Sequence, residues 1–304
     1  VTARRAAWAL AVLAAVAAVG APGPRAAEPV KLRTLPDLYE DAKGTGLRAP
    51  ESVAFDGKDR LAVADTGNGR IVLFTVTGDT ITPGAEIRVA EITYPLQARF
   101  TSDGGLLVLD GKTKKIVRLS ASGAFKGTVA LQDDMAKGGM VPRSIRVGPG
   151  DALYVLDVAQ GRVVVLGPDD RVRRRIEFPK DCRGLSDLAV DAKGVVYALE
   201  SVGRRVLVAR PDAAAFAPVT SLDEETAFPT SLAIDAQGRI VVVDQSGGGI
   251  ITLGPDGSFR GRQSGMGWKE GLLRSPSGVA AGPPGMLFVA DRGNNRVAVF
   301  GMSE

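Results

Sequence analysis

An all-β fold, a six-bladed β-propeller of four-stranded antiparallel blades, is predicted by three observations. The phrase VADTGNGRIVLF at 63–74 returns as VADRGNNRVAVF at 289–300. Four weaker copies lie between them at a near-constant spacing. Each copy is made of apolar runs of strand length separated by turn residues. A period of this size marks a repeat architecture, in which each unit buries its faces against its neighbours.

The period is read on the acid that closes each central run. The runs LAVAD, LLVLD, LYVLD, VYALE, IVVVD and LFVAD end at Asp65, Asp110, Asp157, Glu200, Asp244 and Asp291, spaced by 45, 47, 43, 44 and 47 residues. Pro50, Pro95, Pro142, Pro229 and Pro276 stand fifteen residues before five of these acids, with Leu185 at the same place in copy four. Five residues after the acids come Arg70, Lys115, Arg162, Arg205, Gly249 and Arg296.

Each copy supplies four strands. A short apolar run follows the Pro, then a tight turn such as DGKD or DAQG, then the run ending in the acid. A four-residue turn leads to a third strand (RIVLF, KIVRL, RVVVL, RVLVA, GIITL, RVAVF). A fourth, more polar strand is expected at 86–92, 127–131, 173–178, 216–222 and 257–263. The second strands are apolar at nearly every position, so both their faces must be buried. Sheets stacked around an axis provide that burial, and a two-layer sandwich does not.

Copy six ends at Phe300 without a fourth strand. The unused run VKLRTL at 30–35 is expected to complete that blade and close the ring by backbone hydrogen bonds.

The six acids read as turn carboxylates paired with the cation five residues on, a surface pair contributing about 0–1 kcal/mol. Gly249 replaces that cation in copy five, so Asp244 is expected to lack its partner.

Residues 1–27 read as a secretory signal peptide: Arg4 and Arg5, the apolar run Ala6–Val19, then small residues and Pro through Ala27. The propeller domain is then 28–304, and the protein is expected to be a bacterial one, periplasmic or secreted, with no stable membrane insertion after cleavage. Removing a leader that carries Arg4, Arg5 and Arg25 takes the formal charge from +4 to +1. With no basic run interleaved with aromatics, no nucleic-acid partner is expected. Cys182 is the sole cysteine, so no disulfide forms within the chain, and its neighbours Lys180 and Arg183 are the groups able to activate it. A quiet, partly buried thiol is the expectation. Histidine is absent, which excludes Ser-His-Asp and Cys-His chemistry and every His-ligated metal site.

The element Pro-x-Ser/Gly-Val/Leu/Ile-Ala, then Asp-x-x-Gly, then VADTGNGRIVLF resembles the NHL repeat. Copy six is the best match, with Gly271-Leu272 where that repeat has Gly-Phe before its Pro. The resemblance covers roughly 44–301 and implies the propeller fold. It says little about activity, because such propellers serve as binding scaffolds, as sensors and, in some relatives, as enzymes. ESVAFD around Glu51 resembles the Glu-Gly-Pro-Val-Trp-Asp segment of gluconolactonase-like propellers, whose Glu binds a divalent cation. That family also uses Asn and Asp ligands at the channel mouth, where this chain has Arg143, Leu185 and Thr230. Amidating lyases and virginiamycin-lyase-like enzymes share the fold, but their chemistry uses His.

In a propeller the loops before the first strands and between the second and third strands open on one face, the default binding face. First-strand positions there are Glu51, Leu96, Arg143, Leu185, Thr230 and Ser277, a mixed set rather than a converging one. The longer loops 132–141, 179–184, 223–228 and 264–275 bring Met135, Met140, Phe228, Met266 and Trp268 toward the same rim. Such residues favour a protein or peptide partner. The expected function is therefore an exported, non-catalytic scaffold that recognises a protein, peptide or glycan with Trp268, Met266, Arg143, Met135, Met140, Phe228, Glu51 and Asp244 as binding-face candidates. No cofactor is expected. The alternative is a divalent-cation-dependent, gluconolactonase-like hydrolase with its metal near Glu51.

Overall fold

A computed structural model describes residues 29–131 and 139–303; the expected leader, 1–27, lies outside the described residues. Twenty-four strands form six four-stranded sheets. Blade 1 contains β2 (Ser52–Phe55), β3 (Arg60–Asp65), β4 (Arg70–Thr77) and β5 (Thr80–Ile87). Blade 2 contains β6 (Pro95–Phe100), β7 (Leu106–Asp110), β8 (Ile116–Leu119) and β9 (Phe125–Thr128). Blade 3 contains β10 (Pro142–Val147), β11 (Leu153–Asp157), β12 (Arg162–Leu166) and β13 (Val172–Glu177). Blade 4 contains β14 (Leu185–Val190), β15 (Val196–Glu200), β16 (Arg205–Ala209) and β17 (Ala217–Ser221). Blade 5 contains β18 (Pro229–Ile234), β19 (Ile240–Asp244), β20 (Gly249–Leu253) and β21 (Phe259–Ser264). Blade 6 contains β22 (Gly278–Ala281), β23 (Met286–Asp291), β24 (Arg296–Ser303) and, from the other end of the chain, β1 (Lys31–Leu38).

The second strands show why the apolar runs are continuous. In β3, Leu61 and Val63 pack into the interface with blade 6, while Ala62 and Ala64 pack into the interface with blade 2. In β19, Val241 and Val243 face blade 6, and Ile240 and Val242 face blade 4. Side chains alternate across a strand, so two buried faces demand an apolar residue at every step. The core is accordingly six clusters, one at each junction between neighbouring blades.

The ring closes as the sequence predicts. β1 pairs antiparallel with β24, Lys31 opposite Ser303 and Leu35 opposite Val299, with a register shift before Leu38 at Pro36. Proline has no N–H to give the ladder. Leu35 and Leu38 fill the junction of blades 6 and 1, and Val30 fills that of blades 5 and 6. The Val30 N–H also donates to the Arg260 carbonyl at 3.2 Å, tying the same segment to blade 5.

Two fourth strands sit earlier than expected. β5 occupies Thr80–Ile87 rather than 86–92, because β4 runs on to Thr77 and turns at once through Gly78, whose φ is 59°. β9 ends at Thr128 rather than 131.

Antiparallel order gives the ring two faces. The upper face holds the loops before each first strand and the turns between second and third strands. The lower face holds the other turns, several pinned by an Asp that accepts N–H groups two to four residues on, as Asp56 does from Lys58, Asp59 and Arg60.

Candidate functional site

The closing acids build the upper face. Each is at most 1% exposed and accepts backbone N–H groups from the loop that precedes its own blade. Asp65 takes Arg48 at 2.6 Å, Asp157 takes Val141 at 3.1 Å, Asp291 takes Arg274 at 2.7 Å, and Glu200 takes Arg183. Asp110 takes Thr93 and Tyr94, both at 2.8 Å, and adds the N–H groups of Lys112 and Thr113. Their role is structural, as the sequence predicts, and the cation five residues on meets its acid in blades 1, 3, 4 and 6. In blade 2 Lys115 is exposed and makes no ion pair with Asp110, which takes the Thr113 hydroxyl instead. In blades 1 and 6 the pairs are not at the surface. Arg70 and Arg296 are 1% and 2% exposed and sit 2.6 and 2.8 Å from Asp65 and Asp291. Arg70 also meets Asp41 and Glu86, and with Lys43 and Arg88 it holds the Glu86 carboxyl down at about 2.

Asp244 is not left alone, which corrects the expectation for copy five. It accepts N–H groups from Ala227 at 3.0 Å and Phe228 at 2.8 Å. Its cation arrives from the fourth strand: Arg262 Nη2 lies 3.7 Å from Asp244 Oδ2. A Cβ at Gly249 would stand 2.8 Å from that guanidinium, so the glycine is the space Arg262 fills. Asp244 is a buried brace rather than a binding-face residue.

Inside this frame the channel mouth opens as a cavity of about 300 Å³. Glu51, Leu96, Arg143, Thr230 and Ser277 line it, as predicted for five of six blades. The sixth position is Ser186, not Leu185. Leu185 pairs with Glu200 as Pro142 does with Asp157, so it occupies the proline place and the mouth position falls one residue later. Lys114 and Arg292 join from the upper turns. Glu51 Oε1 is 3.1 Å from Arg292 Nε. Burial pushes its carboxyl above the usual range, against the pull of Arg292 and Arg143.

The mouth is therefore basic: Lys114, Arg143 and Arg292 face one available carboxylate, since the deeper Asp187 is held from below. A divalent cation does not fit this donor set. Glu51 is committed to a guanidinium, and among the described residues no group of three His, Cys, Asp or Glu side chains converges.

Below the mouth lies a polar plug that the sequence reading missed. Asp187, 1% exposed, accepts Ser144 Oγ and Ser231 Oγ at 2.6 Å each, Arg146 Nη2 at 2.7 Å and Gln97 Nε2 at 3.2 Å. The signal was a polar residue inside a buried first strand, as in SDLAV and PLQARF.

The remaining candidates divide. Trp268 and Met266, 74% and 63% exposed, stand open on the upper face, and Phe228 and Arg143 are exposed there too. Met140 is buried in the core between blades 2 and 3, which removes it from the rim. Met135 lies outside the described residues. Cys182 is half-buried, and burial with the nearby Glu200 pushes its thiol up to about 11 despite Arg205. It is the quiet thiol expected. Among the described residues ten large apolar side chains are exposed, and all but Phe125 and Phe259 belong to upper-face loops.

Comparison with known proteins agrees with this architecture. The NHL repeat family model matches residues 273–300. The chain is 26% identical over 270 residues to the mouse E3 ubiquitin-protein ligase NHLRC1, covering 83% of this chain and 63% of that protein. The rat protein of the same name is 25% identical over 270 residues, with 83% and 64% covered. The chain thus spans less than two thirds of these relatives. Among solved structures, a Xanthomonas campestris gluconolactonase superposes with a TM-score of 0.64 at 15% identity, covering 94% of this chain and 99% of that one. Virginiamycin B lyase from Staphylococcus aureus gives 0.62 at 15% identity, covering 89% and 85%. At such identity the likeness is one of fold.

Proposed function

We propose that this chain, an NHL-repeat β-propeller, is a non-catalytic binding scaffold that receives a protein or peptide partner on its upper face and seats an acidic group of that partner in the channel mouth. The observation that carries this reading is the asymmetry of the two faces: among the described residues, eight of the ten exposed large apolar side chains lie on the upper one. Exposed apolar side chains gathered around a charged pocket are the composition of an interaction surface. Trp268 is the natural anchor, with Lys269 Nζ 5.9 Å from its ring. Three cations around a 300 Å³ mouth supply orientation and steer an acidic partner. The matched relatives are named as ubiquitin-protein ligases, which accords with a propeller that recognises protein. We also propose that the protein is exported, on the strength of Arg4, Arg5 and the apolar run that follows them.

An array of immobilised acidic peptides containing aromatic residues tests the binding face. Trp268→Ala and Arg143→Ala are expected to weaken every positive, whereas Phe125→Ser and Phe259→Ser on the lower face leave them unchanged. Equal binding by all four variants would sink the assignment.

The hydrolase reading centred on Glu51 makes an opposite demand. It requires specific stabilisation by Ca²⁺, Mg²⁺, Mn²⁺ or Zn²⁺ that disappears in Glu51→Gln. The ion pair between Glu51 and Arg292 speaks against it, and a thermal-shift series with the four ions decides.

A further inference from the structure

The channel has a lower end with a chemistry of its own. One position of the first strands points its ring of residues there: Ala54, Ala189, Ala233 and Ala280 in four blades, but Arg99 and Arg146 in blades 2 and 3. These residues line a cavity of about 150 Å³ whose other walls include Phe55, Leu232 and Ile234. None of its lining residues is acidic.

The charges do not balance. Arg99 and Arg146 are each only 9% exposed. Arg146 has Asp187, at 2.7 Å. Arg99 donates only through Nη1, to the carbonyls of Ala98 at 2.7 Å and Val53 at 3.4 Å. No carboxylate pairs with it among the described residues, and its Nε and Nη2 make no hydrogen bond there. A buried guanidinium without a counter-charge is unfavourable unless something supplies one. Burial and the neighbouring Arg146 pull Arg99 well below the ordinary guanidinium range, and Asp187, beyond ion-pair distance, opposes them only in part.

We propose that the lower end of the channel is a binding site for a small aliphatic carboxylate, its head group on the free edge of Arg99 beside Arg146 and its tail along the alanine ring. A guanidinium presents parallel N–H donors that match the two oxygens of a carboxylate. The single unpaired positive charge calls for a monoanion. The alanines leave the space, and Phe55, Leu232 and Ile234 make an apolar wall for a short tail. The site is on the opposite face from the proposed docking surface and stands without it.

Calorimetry and thermal melts of the full chain with sodium butyrate test the site. Butyramide, sodium chloride and inorganic phosphate at matched ionic strength serve as controls. Butyrate is expected to bind saturably and raise the melting temperature, and butyramide to do nothing. Arg99→Met is expected to weaken butyrate about tenfold or more while raising the melting temperature of the unliganded protein, because it removes an unpaired buried charge. Ala280→Leu keeps both arginines, fills the space for the tail and is expected to lose butyrate as well, so the test survives if the arginine variant fails to fold. The site is refuted if wild type gives no saturable butyrate response, or if chloride reproduces it. It is equally refuted if the response persists in Arg99→Met or in Ala280→Leu, or if phosphate binds more tightly than butyrate.

Discussion

Glu51 and Arg292 meet across the junction of blades 1 and 6, Oε1 to Nε at 3.1 Å, inside the channel mouth. The pair neutralises one of three cations that an acidic partner would otherwise use. Glu51→Gln releases Arg292 and lessens the negative field at the mouth. Its expected effect is tighter binding of acidic peptides, by about threefold to tenfold at low salt, fading as salt rises. Titrations of one peptide at several salt concentrations check this, and weaker binding in the variant would contradict the charge argument.

Arg70 holds Asp65, Asp41 and Glu86 together in a site where two of the three acids are buried. Arg70→Met leaves buried carboxylates without a counter-charge, at a cost of about 3–5 kcal/mol. Losing Arg70 raises the folded pKa of Glu86 and Asp41, both of which it helps to hold down. Their penalty is absent at low pH and grows as pH rises through the carboxylate range. Chemical denaturation of the variant should accordingly show its deficit shrinking near pH 4, and a deficit independent of pH would remove the electrostatic cause.

Gly249 and Arg262 test whether the fourth strand has taken over the third strand's cation. Gly249→Arg restores the pattern of other blades but places a side chain where the Arg262 guanidinium lies, 2.8 Å from any Cβ at 249. Overpacking of this kind costs about 1–3 kcal/mol. The pair Gly249→Arg with Arg262→Thr is expected to recover most of it. A double-mutant cycle reads the coupling, and additive effects would mean the two residues do not share one space.

Asp187 sets the acid limit of the plug. Its carboxyl, although penalised by burial, is held below the usual range by Arg146, Arg99, Ser144 and Ser231. A depressed folded pKa means the contribution is full above the unfolded carboxylate value and is lost as pH falls through the folded one. Wild type should lose stability below about pH 4. Asp187→Asn is expected to melt lower at neutral pH, because Arg146 loses the carboxylate it pairs with, and to show a shallower acid slope. An unchanged slope would assign acid sensitivity to other carboxylates.

Much of this was legible in the chain. Spacings of 43–47 residues fix six copies, and uninterrupted apolar runs such as IVVVD require burial on both faces. The run at 30–35 stood out as the missing strand of the last blade. The fourth strand of blade 1 was misplaced because a fixed offset ignores how far β4 extends before Gly78 lets it turn. Leu185 misled because copy four has no proline to count from: Leu185 itself holds the proline place, and Ser186 keeps the register of the other mouth positions. Met140 looked like rim and is core, since a loop residue next to a first strand can turn under the loop. The axis was overlooked for a different reason. Arg99, Arg146 and Asp187 lie far apart in sequence, and only the ring brings them within reach of one another.

Lys31 lies opposite Ser303 in the composite blade. Joining these neighbours by a short linker and cutting the chain in the lower turn at Asp191, where that Asp accepts the N–H groups of Lys193 and Val195, would give a circular permutant. Blade 6 would then be continuous, and blade 4 would take its place as the one shared between two ends. Each junction between blades would be the same pair of surfaces as before. The fold is thus written on a circle, and the point at which translation starts to read it is a property of the gene's arrangement rather than of the ring.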